Sequence, residues 1–198
     1  MRIIIICLFL FVAMAHRAGA QPQPSPEDFV NQVFHMIVDS SFSKYYLVER
    51  ADSCRFEKYD YDEWTKYYLK EPVSLAVMNE LAQKVYLSHI KYDWRQDQLK
   101  KAVCITARKG DSLFTISNPA LTARSTGKRK ILRQWQELPA EERTLFSFSL
   151  PHFTDDGQYA VIDLNFICGI ACGTGFTFLF RHASGGWKLI GKYANWSA

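Results

Sequence analysis

Beyond residue 20 this sequence has no apolar run approaching the ~20 residues that a membrane-spanning helix requires, so nothing later in the chain reads as a helical anchor. It also has little surplus charge. Twenty-four Lys and Arg stand against 20 Asp and Glu, a formal +4. Two of the basic residues, Arg2 and Arg17, belong to the first 20 residues, so the remainder carries 22 against 20, or +2. Such a balance lacks the basic footprint of a nucleic-acid-binding domain. There is no internal repeat of useful length, and no nucleophile with its base is recognisable. Cysteine is scarce, with five in 198 residues.

What is present begins with a secretory pattern: Arg2, an apolar core from Ile3 to Ala15, and the small-x-small site Ala18, Gly19, Ala20. Cleavage after Ala20 removes Cys7 and leaves Gln21 at the mature N-terminus. The expected organisation is a signal peptide over 1–20, an extended Pro-rich leader over 21–25 and a single α+β domain over 26–198. The expected location is the periplasm or the extracellular space.

Ser25 reads as an N-cap before Pro26, with Glu27 and Asp28 in the first turn near the positive end of the helix dipole. Phe29, Val33, Met36 and Ile37 then recur at helical spacing. A short helix is expected over Asp62 to Leu69, stopped by Pro72, and a longer one over Ser74 to Ile90. Leu75, Met78, Leu81, Ala82, Val85 and Leu87 give the longer helix a stripe suited to a sheet. The spacing predicts a hairpin from Val103–Ala107 and Ser112–Ser117 around Lys109, Gly110 and Asp111, followed by a polar loop to Lys130.

The last third alternates at a period of two. Strands are expected over Leu145–Leu150, Tyr159–Cys168, Gly175–His182 and Trp187–Tyr193, forming an antiparallel meander. Phe166, Phe178 and the set Trp187, Leu189 and Tyr193 fall on its apolar faces. The fold class is therefore α+β, with N-terminal helices packed on a curved, mainly antiparallel sheet.

Cys168 and Cys172 flank a glycine-rich turn, and an exported chain with four mature cysteines favours disulfides. Cys168 with Cys172 is the expected bridge, and Cys54 with Cys104 is the candidate second one. A redox pair is the competing reading, although thioredoxin-like sites place two residues, not three, between thiols at a helix start. A zinc site would need Cys54 and Cys104 to join the pair in space. Gly169, Gly173 and Gly175 do not read as a phosphate cradle, because a strand rather than a helix follows.

His152, Asp155, Asp156 and Asp163 are the candidate binding residues. The competing reading is ordinary turn chemistry at Asp155 and Asp156, and an exposed Asp163 paired across the sheet with Arg181 or Lys188. Arg124, Lys128, Arg129, Lys130 and Arg133 form a basic cluster suited to phospholipid headgroups or acidic envelope polymers, with a solvated loop as the competing reading. Trp64, Tyr67, Tyr68, Trp94 and Trp135 are candidate sugar-stacking platforms, with core packing as the alternative.

The order Phe146 to Pro151, Asp155 to Gly157, Tyr159 to Leu164, Cys168-Gly169, Cys172-Gly173-x-Gly175, Gly186-Trp187-Lys188-Leu189 and Trp196 resembles the C-terminal part of a group of uncharacterised exported bacterial proteins. The resemblance covers residues 145–197 and implies export, bacterial origin and a terminal sheet, with no activity to transfer. Element order is also similar to the cone-shaped nuclear-transport-factor-2-like folds. The expected function is a noncatalytic binding or interaction module of the cell envelope, with an envelope ligand or protein as partner. No catalytic residue, metal or cofactor is assigned. The alternative is an envelope enzyme, a hydrolase or thiol-dependent one, using a cleft between helices and sheet.

Overall fold

The computed structural model describes residues 23–38, 45–56, 61–105, 144–169 and 172–197. Helix α1 spans Pro26–Ile37, and the Ser25 side chain accepts from the Asp28 amide at its start. Such a cap contributes about 1 kcal/mol. Helix α2 begins as the α-helical turn Tyr61–Glu63 and continues as π-helical Trp64–Tyr68. Helix α3, Leu75–Leu87, is capped by Ser74, whose side chain accepts from Val77 N.

Among the described residues seven strands form one mixed, mostly antiparallel sheet: β1 Tyr45–Val48, β2 Ala102–Ile105, β3 Leu145–Phe148, β4 His152–Phe153, β5 Tyr159–Gly169, β6 Cys172–Ala183 and β7 Gly186–Ser197. The order is β2-β1-β3-β5-β6-β7, with β4 also on β5. The meander of the last strands is as expected, with β6 and β7 longer than their apolar cores. The parallel pairing of β1 with both β2 and β3 was not expected. β2 forms at the first arm of the expected hairpin and takes a parallel partner from far upstream. The rest of that hairpin, the basic cluster and Trp135 lie outside the described residues.

Both faces of the long strands are covered. Phe29, Val30 and Val33 of α1 pack with Ala160, Ile162, Leu164, Phe178, Phe180 and Trp187. The Phe29 ring meets Phe153, Phe180 and Trp187 edge-on at 5.1, 5.5 and 5.0 Å. Residues of opposite parity, Val161, Leu179 and Ile190, pack with Trp64 of α2 and Met78, Leu81 and Ala82 of α3. Each fully buried aromatic or aliphatic side chain of this kind contributes about 1.5–3 kcal/mol. The sheet is thus sandwiched here, rather than buried on one face.

A bulge explains one departure from the period of two. Leu179 faces Gly191 while Phe180 faces Leu189, which leaves Ile190 as an extra residue on β7. Trp187 and Leu189 therefore point to the α1 side, whereas Tyr193 packs with Trp64 on the other side. Gly191 lies beneath that ring, and a Cβ there would come within 2.7 Å of Trp64 Cζ3.

Candidate functional site

The sandwiched face turns polar toward one end of β5, where Asp163 follows Val161 by two residues. Asp163 is not the exposed cross-strand partner of Arg181 or Lys188. It is 1% exposed, and those two bases instead hold Glu71, at 3.0 and 2.9 Å. Thr177 of β6 donates its hydroxyl to Asp163 Oδ1 at 2.7 Å, and the Arg55 amide donates to Oδ2 at 2.7 Å. Asn195 Nδ2 reaches Oδ2 at 3.4 Å and the Cys54 thiol reaches Oδ1 at 3.5 Å. The Asp163 backbone is held as well: its amide donates to Ser149 Oγ at 2.9 Å, and its carbonyl accepts from the Ser149 amide at 3.0 Å.

Burial pushes the Asp163 carboxyl up from its ordinary range, against the pull of Thr177, the Arg55 amide and Cys54. Cys54 is driven well up, first by burial and then by the neighbouring carboxylate. Its thiol stays protonated at neutral pH and so is a poor nucleophile.

A second polar group adjoins the first. Asp52 Oδ2 accepts from Ser147 Oγ at 2.6 Å and Asn165 Nδ2 at 3.0 Å, while Asn165 Oδ1 accepts from Trp196 Nε1 at 2.6 Å. Another bulge makes this possible: Gly175 faces Trp196 and Phe176 faces Ala194, so Asn195 is extra and joins Trp196 in contacting this polar network. The indole lies over β6 where Gly173 and Gly175 offer no side chain. A Cβ on Gly173 would approach Trp196 Cη2 to 2.8 Å, and one on Gly175 would overlap Trp196 Nε1 and Asn165 Oδ1. The glycines after Cys172 are therefore a seat for the terminal tryptophan.

No family model, no curated protein and no solved structure matches this chain. The site is thus read from its own geometry.

The four candidate binding residues do not converge. His152 of β4 is buried opposite Val161, and burial together with the Lys84 charge pushes its imidazole down to about 4. It is neutral at pH 7. Asp155 is exposed and pairs with Lys84 of α3. Asp156 accepts from Thr154 Oγ1 at 2.6 Å and from the Gln158 amide at 2.9 Å, which is turn chemistry. None of the three is a hydrogen-bond partner of Asp163.

The Cys54–Cys104 bridge does not form. Both thiols are free, and they pack against different clusters, Cys54 with that of α2 and α3 and Cys104 with that of α1. Disulfide geometry requires Cα atoms within about 7 Å, which two sides of a sheet do not provide. Burial raises the Cys104 thiol to about 11, with help from Glu49 and Glu27. The side chains of Cys168 and Cys172 lie outside the described residues. Their backbone register pairs Gly169 with Cys172 and leaves Cys168 as the bulged residue beside it. Among the described residues no three His, Cys, Asp or Glu side chains gather as a metal site. Trp64 and Trp94 are core residues, while Tyr67 is exposed.

Sequence reasoning missed Glu27 as a tertiary contact. It is 0% exposed and accepts from Tyr92 Oη at 2.6 Å and from Arg95 N, Nε and Nη2 at 3.2, 3.1 and 2.9 Å. Burial alone would raise this carboxyl, but the hydrogen bonds from Arg95 and Tyr92 outweigh it and hold it at about 2. The available signal was position: Glu27 precedes Val30 by three residues and so shares the buried side of α1.

Proposed function

We propose that this chain is a noncatalytic binding or interaction module of the bacterial cell envelope, exported by residues 1–20. The observation that carries the reading is the state of the reactive groups. Cys54 is a half-buried, protonated thiol whose neighbour is a carboxylate rather than an imidazole. Asp163 has backbone and side-chain donors on both oxygens, and the neutral His152 lies apart from both. Such a network fixes strand register and presents no activated nucleophile. Export is supported by the charged start, the apolar core and the small-x-small site. A nuclear-transport-factor-2-like cone is supported by helices preceding long antiparallel strands, in a variant with helices on both faces.

The test uses protein recovered from the periplasm, whose N-terminus by mass spectrometry should be Gln21. With model ester and disulfide substrates the parent, Cys54→Ser and His152→Gln should all show only background turnover. Saturable turnover that disappears in either variant while the circular dichroism spectrum is kept would establish the enzyme reading instead.

A further inference from the structure

The stripe of α3 runs past the sheet. Met78, Leu81 and Ala82 are buried where α3 packs on β4 and β5, but the last turn overhangs. Tyr86 is 79% exposed, Leu87 62% and, in the extended segment just after the helix, Ile90 69%. Three large apolar side chains exposed within five residues go beyond the scattered single hydrophobes of an ordinary surface.

The nearest carboxylates in sequence, Glu80 and Asp93, are each paired with a base, Lys84 and Arg50. Residues 81–92 contain no Asp or Glu, and they include Lys84, His89 and Lys91. Lys84 turns back to Glu80 and Asp155. Lys91 is exposed and pairs with no carboxylate among the described residues.

We infer that Tyr86, Leu87 and Ile90, flanked by Lys91, dock this protein on an anionic phospholipid surface. The residue types fit that occupant. Leucine and isoleucine enter the acyl boundary, tyrosine sits at headgroup level with its hydroxyl in water, and lysine pairs with anionic headgroups. A second copy would present the same segment, whose residues 81–92 offer Lys91 no carboxylate, whereas an anionic headgroup supplies the opposite charge. The inference rests on the envelope-module reading, which supplies the location.

The test is flotation of the mature chain with vesicles of phosphatidylglycerol and phosphatidylethanolamine, compared with phosphatidylcholine alone. The parent should float with the anionic vesicles. The triple variant Tyr86→Ser, Leu87→Ser, Ile90→Ser should partition roughly tenfold or more weakly, and Lys91→Glu roughly fivefold or more weakly, the latter on anionic vesicles alone. These side chains are exposed, so thermal melts of the variants should match the parent, and flotation is read on folded protein. A parent that stays at the bottom of the gradient, or a triple variant that floats equally well, overturns the inference. So does a parent dimer, seen by sedimentation, that the triple variant converts to monomer without any lipid effect. Failure here is separate from failure of the module reading, which the turnover assay decides with Cys54 and His152, residues outside this patch.

Discussion

Replacing Glu27 with Gln keeps the shape of the side chain and removes its charge from the α1 clamp. The ordinary carboxyl value is 4.5 and the folded value about 2, so the charged form is favoured by folding. Its contribution is present above the unfolded value and is lost as pH falls through the folded one. A separation of about 2.5 units corresponds to about 3.4 kcal/mol at pH 7. At pH 3 the same linkage leaves about 1.4 kcal/mol, because the folded group is then still mostly ionised and the unfolded one is not. Asp163 acts in the opposite sense, since its raised folded value favours acid, so the pH profile of the parent alone mixes the two. The difference between parent and Glu27→Gln isolates the clamp. Urea unfolding followed by tryptophan fluorescence should give a difference of about 3 kcal/mol at pH 7 that shrinks to about half or less at pH 3. A difference that stays constant between the two pH values would show that Glu27 acts through shape or local helix propensity rather than through its charge.

Gly175→Ala forces a methyl into the Trp196 seat and should destabilise by about 1–3 kcal/mol, whereas Gly185→Ala, with nothing within 4 Å, should fall within about 0.5 kcal/mol of the parent by the same urea assay. Phe178→Ala should cost about 3–5 kcal/mol, seen as a large drop in Tm, and Asp155→Ala under about 1 kcal/mol. Phe166 is only partly buried, so Phe166→Ala should fall between them; equal melting of Phe178→Ala and the parent would disprove the strand register. Peptide mapping without reduction should recover Cys168 linked to Cys172, a short loop contributing about 2 kcal/mol, while two freely alkylated thiols in native exported protein would refute the bridge.

The sequence by itself determined the elements whose signals are local. Ser25 and Ser74 cap their helices because a hydroxyl before a helical run meets free amides whatever the rest of the chain does. The β5, β6 and β7 meander was legible because alternation and the Ser184 to Gly186 turn act between neighbours in sequence. Tertiary structure decided what depends on distant partners. The parallel pairing of β1 joins residues near 46 to residues near 103 and 145, a registration that no window of sequence contains. The bulge at Ile190 moves Tyr193 away from the parity that a strict period of two assigns, because one inserted residue inverts every position after it, and the bulge at Asn195 inverts the strand again, so that Trp196 regains it. Asp163 read as an exposed strand residue, and it became the buried centre of the polar network only when Arg55, Thr177 and Asn195 arrived from three other segments. A buried carboxylate is tolerated only where donors converge on it, and convergence is a property of the fold rather than of the neighbouring residues in the chain.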